Sequence, residues 1–287
     1  MTTQADPDYD ELVDDSEEAV ERSPLYGFGR IALPVVLGLS GAVVAATTSP
    51  LWTSPLGAIA GAAVGYLILV GIVALRARKL ATTRFFVLWA DRRGFLYDPS
   101  PPVYRDTALL RAGDEQFAGR SFAGALAGLE GSVYQHTKRV KRTSTDSRGH
   151  TTTTNDDTDY IVLRLGLTVP GFDRLQLHPR GFGSLRLFDG LESKLTSNRV
   201  VELESEELAK EYKLEVADGV DEVTLRRLFT PAAIAHILDA FPEGVGLQLE
   251  GSTLVFFRQG SITPKKMEMV EQLVADVTPF TGWLRSA

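Results

Sequence analysis

The side chains best able to do chemistry are few and scattered. The histidines are His136, His150, His178 and His236, and no His-Glu-x-x-His pair puts two of them on neighbouring helical turns, as a zinc hydrolase requires. His136 and His178 fall in strand-like stretches and read as structural. His236 falls off the apolar stripe of its helix and reads as solvated. The chain has no cysteine, which removes thiolate ligands, disulfides and a sulfur nucleophile. Asn155-Asp156-Asp157-Thr158-Asp159 resembles part of a calcium loop but lacks the central glycine and the distal glutamate. Gly119-Arg120-Ser121-Phe122-Ala123-Gly124 misses the glycine spacing of a serine-hydrolase elbow. Gly181-Phe182-Gly183 lacks the third glycine and the partner acid of a dinucleotide fingerprint. No Walker loop and no kinase signature occurs. No residue is thereby assigned as catalytic, metal-binding or cofactor-binding, and the balance leans away from an enzyme.

One cluster suggests binding. Lys138-Arg139-Val140-Lys141-Arg142 runs along a strand, and its four bases could hold anionic lipid headgroups at about 1 kcal/mol each, less in salt. The plainer reading is an edge strand guarded by charge.

The charges that could steer a partner are unevenly placed along the 287 residues. Residues 1–30 hold nine acids against Arg22 and Arg30, a net of 2 - 9 = -7. Residues 31–75 hold no charge, and residues 76–287 hold 28 bases and 28 acids. The protein's whole net charge of -7 therefore belongs to its N-terminal segment, and that sign argues against a nucleic-acid coat. So dense a run of like charge predicts a disordered acidic tail over 1–27. It reads as a solubilising leader, or as a docking strip for a basic partner with Tyr9 and Leu12 as anchors.

The uncharged run Ile31–Leu75 is long enough for two helical spans, each needing about 20 residues. Thr47-Thr48-Ser49-Pro50-Leu51-Trp52-Thr53-Ser54-Pro55 divides it, so we expect a transmembrane hairpin over 28–76 with helices at about 28–48 and 55–76. The acidic stretch before it is unlike a signal peptide. Arg76, Arg78, Lys79 and Arg84 follow the second span and Arg22 and Arg30 flank the first. Positive-inside bias then puts both termini in the cytoplasm. Gly57, Gly61 and Gly65, and likewise Gly38, Ala42 and Ala46, repeat every four residues, which suits close helix packing within the hairpin or between copies of the chain.

A juxtamembrane helix continues from residue 77, stops at Gly94, and leads through Asp98-Pro99-Ser100-Pro101-Pro102 into a cytosolic domain over 103–287. Gly131–Val140 and Thr158–Val169 read as arms of a long hairpin whose Thr/Ser-rich tip, Thr143–Asp157, is exposed and mobile. Ser121–Val133 is weakly strand-like. Leu175–His178, Val200–Leu203 and Tyr212–Val216 are short strands, and Val245–Glu250 with Thr253–Phe257 is a tight hairpin across Gly251-Ser252. Ser205 caps a helix at 206–211. Thr230-Pro231 opens another with Ile234, Ile237, Leu238 and Phe241 on one face, and Thr263-Pro264 opens the last, with Met267, Val270, Leu273, Val274 and Val277 inward. The expected class is α+β: a transmembrane helical hairpin, then an antiparallel sheet with helices packed on one face.

Four stretches carry a family likeness: Trp89-Ala90-Asp91-Arg92-Arg93-Gly94, the tract Thr143–Thr154, Tyr160–Leu165, and Glu202-Leu203-Glu204-Ser205-Glu206-Glu207-Leu208. Over about 85–280 the chain resembles an uncharacterised family of prokaryotic two-pass membrane proteins, a domain of unknown function. The resemblance implies a cytosolic α+β domain behind a membrane hairpin and implies no activity. The reading that follows is a non-catalytic module at the inner face of the cytoplasmic membrane, whose partners are the lipid bilayer and a membrane or cytosolic protein. Two others stand beside it: a membrane-tethered hydrolase with a site assembled from distant residues, and a homo-oligomeric structural component built through Gly57, Gly61 and Gly65.

Overall fold

Asp8 starts the first helix by accepting the backbone N–H of Asp10 at 2.9 Å, and α1 (Tyr9–Glu21) follows. In the computed structural model the described residues are 8–23, 35, 37, 54–167, 172–180, 198–201, 203, 205–241 and 244–286. They fall into two units, Met1–Trp89 and Ala90–Ala287.

In the first unit the acidic segment is a docked helix over Tyr9–Glu21, where charge density led us to expect a disordered tail. Leu12, Ser16 and Val20, four residues apart, are all buried, so they form one strip along α1. The strip faces α2 (Ser54–Arg92). Val20 packs with Val73 and Ala77 at one end. At the other end the Tyr9 hydroxyl and Thr82 Oγ1 lie 3.1 Å apart in a hydrogen bond, and the Tyr9 ring stands edge-on to Phe85 at 6.0 Å. The two helices therefore run antiparallel. Asp15 lies 3.7 Å from Arg84 across the same seam. Patterning explains the correction: the inward strip is apolar or small, and the seven acids of α1 lie off it.

α2 merges the second expected span with the juxtamembrane helix into one 39-residue rod. It ends in a Schellman closure, with Gly94 at φ +71°, its N–H on the Asp91 carbonyl and the Phe95 N–H on the Ala90 carbonyl. The first expected span, with Gly38, Ala42 and Ala46, lies outside the described residues. Among the described residues no helix is long and apolar enough to cross a membrane, so the expected hairpin gains no support there.

The second unit is built on a nine-stranded antiparallel sheet. Its strands are β1 (Leu96–Asp98), β2 (Glu115–Leu126), β3 (Leu129–Thr145), β4 (Thr151–Gly166), β5 (Phe172–Pro179), β6 (Asn198–Val201), β7 (Tyr212–Ala217), β8 (Val245–Gly251) and β9 (Thr253–Gln259). Their order is β1-β2-β3-β4-β9-β8-β5-β7-β6. Phe122, Val133, Leu163, Phe256, Leu247, Leu177, Leu214 and Val201 pair in succession from β2 to β6. All but Val201 are buried, so this row is the spine of the main core. Against it lie α4 (Glu206–Glu211), α5 (Glu222–Leu228), α6 (Pro231–Ala240) and α7 (Met267–Ser286). Phe256 meets Phe241 at 5.8 Å and Phe280 at 5.9 Å, both edge-on.

The neighbouring row points to the opposite face and is largely polar: Ser132, Arg164, Val255, Gln248, Gln176, Glu215 and Val200. That face is covered in part by α3 (Ala108–Arg111), whose Leu109 and Leu110 pack with Tyr134, Tyr160, Val162 and Phe257. Helices on one face alone was thus too simple. Two short elements also went unseen. β1 pairs with β2 where we expected the linker to begin. Ala127 and Gly128, at φ 50° and 74°, turn β2 into β3.

The long hairpin is strand almost to its end. β3 and β4 pair without a break from Gly131↔Leu165 to Thr145↔Thr151, leaving 146–150 as the turn. The threonine tract expected as a mobile tip is a two-stranded ribbon. Its β-branched residues favour extended backbone, and Thr143 faces Thr153 and Thr145 faces Thr151 through their hydroxyls.

Candidate functional site

The basic run lies on β3, interior as far as Arg139, the last residue paired with β2, and edge-like beyond it, where Val140–Arg142 pair with β4 alone. Its bases face acids on both neighbours. Arg139 makes a two-pronged pair with Asp157 on β4 at 2.7 and 2.8 Å and reaches Glu115 on β2 at 3.4 Å, with its guanidinium 4.7 Å from the Phe117 ring centroid. Lys141 pairs with Glu115, and Arg142 with Asp156 at 2.5 Å. Lys138 is buried, and that burial lowers its pKa. The hydrogen bond from Lys141 holds Glu115 below the usual carboxylate range, and Arg139 does the same for Asp157. Arg139, Lys141 and Arg142 thus belong to a ladder of cross-strand charge, and Lys138 is buried beside it between Gln116 and Thr158. Asn155–Asp159, which resembled a calcium loop, is the acidic side of the ladder.

Folding does bring one histidine to a carboxylate. His178 on β5 and Lys213 on β7 are cross-strand partners. Glu215 Oε1 lies 3.7 Å from His178 Nε2 and pairs with Lys213 Nζ. These two neighbours, His178 first, pull the Glu215 carboxyl down to about 2. The other histidines are placed singly. His136 is fully buried, and burial holds it neutral, down to about 4. His236 is half-buried, not solvated as expected: its Nε2 is 2.7 Å from the Asp276 carbonyl and its ring stands edge-on to Phe241. His150 is exposed beside the tip turn. Among the described residues no three His, Asp or Glu side chains are grouped to hold a metal.

The cavity lies on the other side of the sheet, where the helical layer meets its last strand. Ser205 caps α4 by accepting the Leu208 N–H at 3.2 Å, Asp221 caps α5 through Thr224 N at 2.8 Å, and Thr230 caps α6 through Ala233 N at 3.2 Å. These three helix starts, with Val201 and Leu203, enclose a groove of about 670 Å³. Leu225, Phe229, Ile234 and Leu238 line it, and Glu207, Glu222 and Arg226 are its charged members among the described residues. Its size falls in the range of ligand pockets. The sequence marked Ser205 and Ile234 as structural and gave no sign of the groove, because α5 carries too short an apolar pattern to be read as a helix.

Titratable cluster and cavity do not coincide. Val200, beside Glu215, and Val201, in the groove, are consecutive residues of one strand and so point to opposite faces. Gly57, Gly61 and Gly65 all fall within α2, and Gly65 is buried.

No protein-family model matches the chain, and no curated protein does. The crystal structure of the mycobacterial trehalose monomycolate transport factor A, TtfA, is similar with a TM-score of 0.41 and 11% sequence identity, over 67% of this chain and 89% of that chain. So distant a likeness carries neither fold nor function to this chain.

Proposed function

We propose that the protein is a membrane-tethered, non-catalytic binding module held at the inner face of the cytoplasmic membrane. The observation that carries the reading is the surface of α2. Ile59, Leu67 and Leu75 are 66%, 68% and 70% exposed, and Val64, Ile68, Val70 and Ile72 are exposed beside them. An apolar surface on several sides of a helix is costly in water and favourable in hydrocarbon. The apolar run ends at Leu75 and is followed at once by Arg76, Arg78 and Lys79, the order expected of a helix leaving a bilayer toward the cytoplasm. The uncharged residues 31–53 supply the length for a second crossing, so the tether is a two-span hairpin with both termini cytoplasmic.

Binding in place of turnover is supported by the separation just described. The groove is mainly apolar, and the His178–Glu215 contact lies on the opposite face of the sheet. A tethered binder gains effective concentration for neighbours in the same membrane without any chemistry.

The test is fractionation of cells that make the full chain. The reading expects it to sediment with membranes, to resist carbonate at pH 11 and to enter nonionic detergent. Full recovery in the detergent-free supernatant overturns the tether. If that soluble form sediments as an oligomer, the apolar faces of α2 are covered by copies of the chain instead.

A further inference from the structure

We propose that the groove beside β6 receives an extended peptide that adds to the sheet as a tenth strand, with a bulky apolar side chain in the groove and a Lys or Arg on either side of it. The proposal names the partner class of the binding module above, so it rests on that reading but not on the membrane tether.

Two independent features meet at this place. The first is a sheet edge. β6 ends the strand order, one of its edges pairs with β7, and no described strand pairs with the other. It holds no lysine and no proline, its one charged residue, Arg199, donates to the Val220 carbonyl at 3.0 Å, and Val200 stands exposed on it. The second is the groove. The buried apolar row that crosses eight strands ends at Val201, and Val201 is itself a wall of the groove with Leu203, Leu225 and Ile234. A ninth residue in that row would come from an added strand, and its side chain would point into the groove. Strand addition beside a helix-lined pocket is a general way to bind peptide: main-chain bonds supply affinity and the pocket selects alternate side chains.

Charge decides the flanks. Among the described residues, the groove offers two carboxylates, Glu207 and Glu222, against one guanidinium, Arg226. On an added strand the residues two before and two after the groove residue share its face. Cationic residues at those positions meet the excess of carboxylate, and acidic ones add to it.

The experiment uses the full chain in nonionic detergent and a fluorescent acetyl-Lys-Thr-Leu-Thr-Lys amide, read by anisotropy. Three further probes carry Glu for both Lys, Gly for Leu, or N-methyl groups on the two Thr, the last removing strand hydrogen bonds without changing side chains. The parent peptide is expected to bind, and each change to weaken it tenfold or more. The double variant Glu207→Lys/Glu222→Lys is expected to reverse the preference between Lys and Glu flanks while keeping its circular dichroism, which separates lost charge from lost fold. Equal binding of the N-methylated peptide, indifference to flank charge in both proteins, or no binding at millimolar peptide each overturns the proposal. None of these outcomes depends on where the chain fractionates.

Discussion

Gln248 and Gln176 pass a hydrogen bond across the polar face of the sheet: Gln248 Nε2 donates to Gln176 Oε1 at 3.4 Å, while Gln248 Oε1 accepts the Leu109 backbone N–H at 2.9 Å. Both side chains are buried. The pair therefore joins β5 and β8 to α3, the helix that the described residues place on this face.

Gln248→Leu keeps the volume and removes both bonds. It leaves the Leu109 N–H and the Gln176 carbonyl buried without their partner, a loss of about 1–3 kcal/mol for an unsatisfied group. Urea unfolding in nonionic detergent should show a lower midpoint at constant slope. An unchanged midpoint means water replaces the glutamine and the link is not structural.

Acid should weaken the second unit in two windows. His136 is held neutral by burial, its pKa lowered from 6.5 to about 4. The folded protein then binds fewer protons than the unfolded one, so stability is full above pH 6.5 and falls as pH drops toward 4. Glu215, pulled down to about 2 by His178 and Lys213, adds a second loss from the ordinary carboxylate range downward. His136→Leu should flatten the upper window and Glu215→Gln the lower one. Melting temperatures between pH 8 and 2.5 read both. A variant with the wild-type slope in its own window removes that group from the account.

Two glycines should respond oppositely to alanine. A Cβ on Gly246 would lie 2.5 Å from the Phe257 ring on the paired strand, whereas one on Gly71 in α2 meets nothing within 4 Å. Gly246→Ala should cost about 1–3 kcal/mol of overpacking. Gly71→Ala should be neutral, or gain up to about 1 kcal/mol of helix propensity. Equal effects in thermal melts would show that the ring yields freely.

What the sequence revealed were the elements whose signals are local. Ser205, Thr230-Pro231 and the glycine at 251 act within a few residues of themselves, and their helices and hairpin lie where they indicate. Gly94 likewise stops α2. What it hid depends on residues far apart in the chain. The threonine tract looked like loop because it lacks apolar residues, yet its pairing is fixed by the hydrophobic register of Tyr160–Leu165 further down the same strands. The four bases at 138–142 looked free because Glu115, Asp156 and Asp157 come from two other strands. The groove needs Val201, Leu225 and Ile234 to meet, and no one of them carries a mark of it.

The same lesson applies to α1, where counting charge pointed to disorder and the four-residue spacing of Leu12, Ser16 and Val20 pointed to a helix. The structure implies that the apolar strip, and not charge, holds α1 to α2. The Asp15–Arg84 pair is 3.7 Å apart and more than half exposed on both sides, a kind that contributes about 0–1 kcal/mol and is screened by salt. Repulsion among the seven acids opposes the helix and is screened as well. Raising NaCl from 0.1 to 1 M should therefore leave hydrogen-exchange protection of residues 10–21 unchanged or increase it. Val20→Asp, which puts a charge against Val73 and Ala77, should abolish that protection at either salt, and Asp15→Asn should hardly change it. Protection that collapses in salt and survives Val20→Asp would mean that charge holds the helix in place after all.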